Sequence, residues 1–359
     1  MRIGLIGLEK SGKTTVFNAL TGSLIDTNAY ASGKSEPNVA VVQVADPRVD
    51  KLTDMYKPKK VARATVECMD FGGVAAEGEK KEIFSPAELA LVKNADALAL
   101  VLRNFSHDLL DGVMGPPDPV RDRHALLTEL VLSDLILAET RLERIDHFIK
   151  RGASTPDMEL ERKALLKVGE ALNANRPISS LGMSPEELKP LRGFRFLTEK
   201  PMLVVLNSDE GGFGTHQGLV SVLEGEFRVV EFAGQFEMEL SRLNEDEARE
   251  FMEEMRIAAS AKDRLSMLAY EVLGYITFFT VGADEVKAWT IRRGDTAVDA
   301  AGAIHSDLAR GFIRAECFSY DDLVSLGSEK ALRDKGLFRL EGKNYLVKDG
   351  DILSIRFNT

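Results

Sequence analysis

Short apolar runs alternate with charged stretches of helical spacing along much of the chain. The first run, Met1–Ile6, ends at Gly7 and leads into a glycine-punctuated loop. Val16, Phe17 and Leu20 then recur at helical spacing through Thr14–Leu20, so the pattern predicts strand, loop, helix. Asn38–Val44, Ala64–Met69, Ala97–Leu102, Met202–Leu206 and Arg228–Phe232 read as further strands. Ala97–Leu102 is apolar at every position, as a strand covered on both faces of a parallel sheet should be. Helical patterns separate most of these runs. The expected core is therefore an α/β domain with a doubly wound, mostly parallel sheet.

Two regions depart from that alternation. Val120–Lys150 is helix-periodic and rich in charge, with Glu129, Asp134, Glu139, Arg141, Glu143 and Arg144. Thr155-Pro156-Asp157 reads as an N-cap followed by proline in the first turn, opening a second helix over Pro156–Asn173. Ser184-Pro185-Glu186-Glu187 opens a third, shorter one. Two long charged helices joined by Gly152–Thr155 predict an inserted antiparallel hairpin; whether it projects from the sheet or packs flat on it is open. From Thr277 the texture changes again. Thr277–Val281, Ala288–Ile291, Gly311–Ser319, Tyr345–Val347 and Ile352–Phe357 read as strands, with helices over Ala297–Ile304 and Leu323–Lys335. The expected domains are 1–118 with 200–276, a helical (coiled-coil) insertion over 119–199, and a compact α+β module over 277–359.

Composition narrows the functions. The net charge of -11 excludes wholesale coating of nucleic acid, which needs a basic surface, but leaves room for a local basic patch. Residues 277–359 carry 12 Lys/Arg against 13 Asp/Glu, so this module is the less acidic part and the better candidate for an RNA surface. Arg292, Arg293, Arg310 and Arg314, with His305, are the residues that would form such a patch. Trp289 lies on a strand and is expected in the core. Cys68 and Cys317 sit far apart in apolar runs, without zinc spacing or a disulfide framework, and read as reduced core cysteines. No apolar run approaches the ~20 residues of a membrane span, and no signal peptide opens the chain. A cytoplasmic monomer is expected.

The chemistry concentrates at Gly7-Leu8-Glu9-Lys10-Ser11-Gly12-Lys13-Thr14, which matches G-x-x-x-x-G-K-[ST]. Glycines let such a loop curl until its backbone N–H groups point inward at phosphate oxygens. The following helix adds its positive end. Lys13 supplies a charge for the β- and γ-phosphates and is the one catalytic candidate, and the Thr14 hydroxyl is placed to ligate Mg²⁺. Gly7, Lys10, Ser11, Gly12, Lys13, Thr14 and Thr15 form the expected phosphate-binding set. Asp70-Phe71-Gly72-Gly73 follows a strand; Asp70 is expected to hold Mg²⁺ through water, and the Gly73 N–H to sense the γ-phosphate. Asn207-Ser208-Asp209-Glu210 follows another strand, where GTPases carry Asn-Lys-x-Asp to read guanine. Here Ser208 stands in the lysine's place and Glu210 in the aspartate's. A longer carboxylate without the lysine grips guanine less well, so both ATP and GTP stay open. Ala233 and Gly234, small residues after the strand Arg228–Phe232, would let backbone amides approach the base.

In this order the residues resemble the YchF / Obg-like ATPase family of translation-factor-class P-loop proteins, over nearly the whole chain. The most specific stretches are Glu36-Pro37-Asn38-Val39, Asp46-Pro47-Arg48-Val49-Asp50-Lys51-Leu52 and Asp118-Pro119-Val120-Arg121-Asp122. Lys287-Ala288-Trp289-Thr290-Ile291, Gly311-Phe312-Ile313-Arg314-Ala315-Glu316, Leu340-Glu341-Gly342-Lys343-Asn344-Tyr345 and Asp349-Gly350-Asp351-Ile352 match equally well. The resemblance implies a nucleotide domain, a helical hairpin and a C-terminal TGS domain of β-grasp shape. It also implies ATP preferred over GTP, slow hydrolysis, and association with ribosomes or RNA through the TGS and helical domains. Its base-reading motif, Asn-x-x-Glu, is met by Asn207 and Glu210. The chain departs from the family at Lys34, where a switch I threonine is usual and Ser35, one position along, is the alternative hydroxyl, and at Val74–Glu82, where a glycine-rich switch II is usual. It also departs at Glu9 and Lys10, usually neutral. Val74, following Gly73, cannot orient water. Hydrolysis would then rest on Lys13, Mg²⁺ and backbone amides, and would be slow. A nucleotide-binding scaffold without turnover is the rival reading.

Overall fold

The computed structural model describes residues 1–22, 37–71, 83–254, 257 and 259–358. Its strands are β1 (Arg2–Ile6), β2 (Asn38–Gln43), β3 (Lys60–Ala62), β4 (Thr65–Asp70), β5 (Ala97–Asn104), β6 (Met202–Ser208) and β7 (Arg228–Ala233). The later ones are β8 (Tyr275–Thr280), β9 (Glu285–Arg292), β10 (Phe312–Ser319), β11 (Arg339–Glu341) and β12 (Asp351–Phe357). They form two six-stranded sheets. The fold is α/β, with a parallel-rich sheet carrying the phosphate loop and a second sheet toward the C-terminus.

The first sheet has the order β2-β4-β1-β5-β6-β7. β1 runs parallel to β4 and β5, β5 to β6, and β6 to β7. The chain leaves β1 toward β4 on one side and crosses to β5 on the other, so the strand order reverses beside β1. In such sheets a crevice opens at that point, outside the carboxyl ends of the strands. Every residue of β5 is buried, as its unbroken apolar run requires. Leu98, Leu100 and Leu102 pack with Val204 and Leu206 of β6, Ile6 of β1, and Leu126 and Leu130 from the long helix Pro119–Lys150.

That helix begins with Asp118 accepting the N–H of Arg121 and a proline in the first turn. Its partner, Pro156–Asn173, is capped by Thr155. Val131, Ala138 and Ile145 of the first pack with Ala164, Leu165, Val168 and Leu172 of the second. Ion pairs of Arg141 with Glu161 at 2.7 Å and Arg162 with Asp146 at 2.6 Å border this seam. Asp134, fully buried, accepts the N–H groups of Leu197 and Thr198 and the Thr198 hydroxyl at 2.7–2.9 Å. It fastens the returning chain just before β6. Burial pushes this carboxyl above its usual range against those three donors.

The second compact unit gathers residues 41–66 with 263–359. Its sheet has the order β11-β10-β12-β8-β9-β3. β8 and β9 are antiparallel, as are β10 with β12 and β10 with β11, while β3 adds to β9 in parallel. Arg48 bridges Asp46 and Asp349, both at 2.8 Å, and lies 5.1 Å above the Phe279 ring. Phe278, Ile276, Ile291, Leu353 and Cys317 close against Ala297, Ala300 and Ala301 of the helix Ala297–Ile304.

Three local expectations change. Tyr345–Val347 makes only an isolated bridge from Leu346 to Thr296. Its backbone groups go instead to the loop before the helix Ala297–Ile304: Ala297 N–H donates to the Tyr345 carbonyl, and Val347 N–H to that of Asp295. Leu323–Lys335 is two helices, Tyr320–Leu326 and Glu329–Asp334. Gly327 at φ 77° ends the first and Ser328 caps the second. β3 and β11, each three residues long, are strands that periodicity does not reveal. Among the described residues no helix is long and apolar enough to cross a membrane.

Candidate functional site

The loop after β1 reaches its shape through two left-handed residues. Gly12, which starts the helix Lys13–Thr21, has φ 93°, and Lys10 has φ 61°. The second costs a non-glycine residue about 1–2 kcal/mol, which the surrounding contacts must offset. Gly7 is needed for space: a Cβ there would come 2.5 Å from the Val101 carbonyl and 2.6 Å from Ser11 Oγ. At Gly12 a Cβ would meet Asn207 Nδ2 at 2.1 Å. Ser11 Oγ is buried without a hydrogen-bond partner.

Lys13 folds across the loop mouth. Its Nζ donates to the carbonyls of Gly7 and Leu8, each at 2.9 Å, which holds the ammonium at the loop. Thr14 Oγ1 donates to Asp70 Oδ2 at 2.9 Å, joining the loop to the end of β4. Asp70 is fully buried. A hydroxyl and a carboxylate side by side are the hard oxygen donors that suit Mg²⁺, so these residues fit that ion.

The carboxyl ends of β5, β6 and β7 supply the other side of the crevice. Asn207 lies in register with Arg103 of β5 and Phe232 of β7. Its Nδ2 donates to the Ser11 carbonyl at 3.1 Å, tying β6 to the phosphate loop. Gly234 permits this closeness: a Cβ there would stand 2.9 Å from Asn207 Oδ1 and 3.1 Å from the Thr15 methyl. Ala233 precedes it at the start of the helix Gly234–Leu240. Glu210 is exposed in the turn after β6, where Asp209 Oδ1 accepts the Gly212 N–H at 2.6 Å. The structure thus brings together Gly7, Lys10, Ser11, Gly12, Lys13, Thr14, Thr15, Asp70, Asn207 and Gly234. Gly73, Lys34, Ser35 and Val74–Glu82 lie outside the described residues.

Sequence reasoning missed the side chains behind the turn after β6. Asn104 Nδ2 donates to Ser208 Oγ at 2.9 Å, and Ser208 donates to Glu231 Oε1 at 3.0 Å. The one available signal was the serine where a lysine is usual.

A profile described as a 50S ribosome-binding GTPase matches residues 2–129, and one described as the YchF GTPase C-terminal domain, of unknown function, matches 275–358. The ribosome-binding ATPase YchF of Haemophilus influenzae is 36% identical over 99% of both chains. The chain belongs to the YchF / Obg-like ATPase family. The YchF of Bacillus subtilis, also named a ribosome-binding ATPase, is 36% identical over 99% of this chain and 98% of its own. Obg-like ATPase 1 of Caenorhabditis elegans is 31% identical, over all of this chain and 92% of its own. The solved YchF GTPase of Schizosaccharomyces pombe superposes with a TM-score of 0.86 at 30% identity, covering 99% of this chain and 97% of its own.

Outside the crevice, several sequence candidates have structural roles. His305 caps the helix Ser306–Arg310 by accepting the Asp307 N–H, and Arg310 pairs with Asp307. Trp289 stacks on Phe278 at 6.3 Å, donates to Thr280 Oγ1, and carries the Lys287 ammonium over its ring at 3.6 Å. Cys68 is buried, and burial pushes its thiol up to about 12, so it is an inert core residue at neutral pH.

Proposed function

We propose that this chain binds a purine nucleoside triphosphate with Mg²⁺, hydrolyses it slowly, and uses its nucleotide state to control docking on the ribosome. The observation that carries this is Lys13 held on the Gly7 and Leu8 carbonyls, beside the Thr14–Asp70 pair. Lys13 would neutralise charge between the β- and γ-phosphates, and the N–H groups of the loop would hold their oxygens. Mg²⁺, held by Thr14 and by Asp70 through water, would supply electrostatic stabilisation of the phosphates. No group in the described crevice offers itself as a general base, which favours slow turnover resting on charge stabilisation. The names of the relatives support ATP as the nucleotide and the ribosome as the partner. The near-neutral C-terminal module, with Arg292, Arg293 and Arg314 exposed, is the proposed RNA-facing part, together with the helical hairpin.

Phosphate release from Mg·ATP and Mg·GTP, with Lys13→Ala as control, tests this reading. Release from the native chain above the control, and more from ATP than GTP, is expected. Binding without release would instead support the scaffold reading, which Lys34 and Val74 favour. Co-sedimentation with ribosomes should depend on which nucleotide is present; sedimentation indifferent to nucleotide would remove the regulatory part.

A further inference from the structure

Ser208 and Asn207 are neighbours on β6, yet they anchor in opposite directions. Asn207 reaches to the Ser11 carbonyl of the phosphate loop. Ser208, the next residue on the strand, faces the opposite side of the sheet: it accepts from Asn104 Nδ2 at 2.9 Å and donates to Glu231 Oε1 at 3.0 Å. The other oxygen of that carboxylate, Oε2, accepts the N–H of Gly214 at 3.0 Å. Asn104 Nδ2 also lies 3.1 Å from His216 Nδ1. An amide nitrogen donates, so His216 Nδ1 is the acceptor in this contact. His216 Nδ1 in turn stands 3.8 Å from Glu231 Oε1. Asn104 and Ser208 are buried, and the Glu231 side chain is only 13% exposed.

The turn 209–216 is therefore held from behind by one carboxylate. Glu231 grips it at its start through Ser208 and near its end through Gly214. The imidazole closes the gap, since a Cβ on Gly212 would come within 2.6 Å of His216 Cε1. Between the two grips sits Glu210, the exposed carboxylate at the purine-reading position. We infer that Glu231 is the positioning residue for Glu210, and that the His216–Asn104–Ser208–Glu231 chain sets how the site discriminates between purines. This rests on the proposed nucleotide reading of the crevice.

The chemistry is specific about direction. Adenine presents an amino donor where guanine presents a carbonyl acceptor, so a carboxylate discriminates only if its place along the base edge is fixed. In a loosened turn Glu210 would follow whichever donor is available, and selectivity would fall. The triphosphate, gripped by the Gly7–Thr14 loop, would not notice.

The test is calorimetric titration of the full chain with Mg·ATP, Mg·GTP and Mg·tripolyphosphate, in native protein, Glu231→Gln, Glu210→Gln and the double variant. Glu231→Gln is expected to weaken the preferred purine nucleotide by about tenfold, the equivalent of one hydrogen bond to a charged group. It should bring the ATP-to-GTP affinity ratio toward one and leave tripolyphosphate unchanged. In the Glu210→Gln background the same substitution should add nothing, because the positioned group is gone. Equal losses for all three ligands, or an undiminished effect without Glu210, would overturn the inference and leave the nucleotide reading intact. Failure of the native chain to bind any of the three would overturn both. Should Glu231→Gln not fold, Ser208→Ala removes one grip and must shift the same ratio in the same direction, by less.

Discussion

The loop between β1 and the helix Lys13–Thr21 is made from one stretch of chain, whereas the turn after β6, proposed to face the base, is held by side chains from three strands. In the first, the backbone sets the shape, which follows from where glycine permits φ 93° and where a Cβ has no room. In the second, position comes from Asn104, Ser208 and Glu231, residues 104 and 23 positions apart from one another along the chain. Phosphate geometry is the same in every nucleotide, so a rigid backbone cradle serves all of them. Base identity varies, and a turn held by side chains is the part that substitution can retune without dismantling the cradle.

The two ends respond differently to substitution. Gly12→Val should have the largest effect, because a side chain there is strained by about 1–2 kcal/mol and collides with Asn207. Fluorescence titration should show loss of at least about a hundredfold for ATP, GTP and tripolyphosphate alike. Retention of tripolyphosphate binding in that variant would mean that the cradle is not what Gly12 shapes. Next comes Asp70→Asn, which removes the charge beside Thr14 and should cost about ten- to a hundredfold in the presence of Mg²⁺. Titrating with and without EDTA checks it: chelation should hurt the native protein far more than the variant, and equal sensitivity would take Asp70 out of the metal's surroundings. Ser208→Ala leaves the cradle whole and should cost about two- to fivefold, for one purine only, in competition binding of ATP against GTP. A loss shared by both purines would show that the two ends are not separable. The smallest effect is expected at the exposed Asp209, whose single bond to Gly212 N–H should be worth less than about twofold in the same competition when replaced by Ala.

That asymmetry also explains what could be read from the sequence. The cradle is contiguous, so Gly7, Gly12, Lys13 and Thr14 announce themselves by spacing. Helices with explicit ends were equally legible: Thr155-Pro156 marks the start of Pro156–Asn173, and Thr296 with Asp299 forms the capping box of Ala297–Ile304. β5 could be recognised because burial on both faces leaves no polar position before Arg103. What escaped depends on distant partners. Lys60-Val61-Ala62 has no alternation and is a strand only because β9 offers it a ladder. Arg339–Glu341 is a strand only against β10. The helix break at Gly327 was a local signal overridden by the apolar period on either side. At the site, Asn104, Glu231 and His216 belong to separate segments that no spacing connects; only the unexpected Ser208 hinted that the base-side turn must be anchored elsewhere.

Everything said of function depends on the stretch between β1 and the helix Lys13–Thr21 enclosing a triphosphate. Isothermal titration of the purified chain with Mg·ATP and Mg·GTP, against Lys13→Ala, addresses this directly. Saturable heat for at least one of the two, lost in the variant, is the expected result. A native chain that gives no heat with either nucleotide, or a Lys13→Ala chain that binds as tightly as the native one, would contradict it.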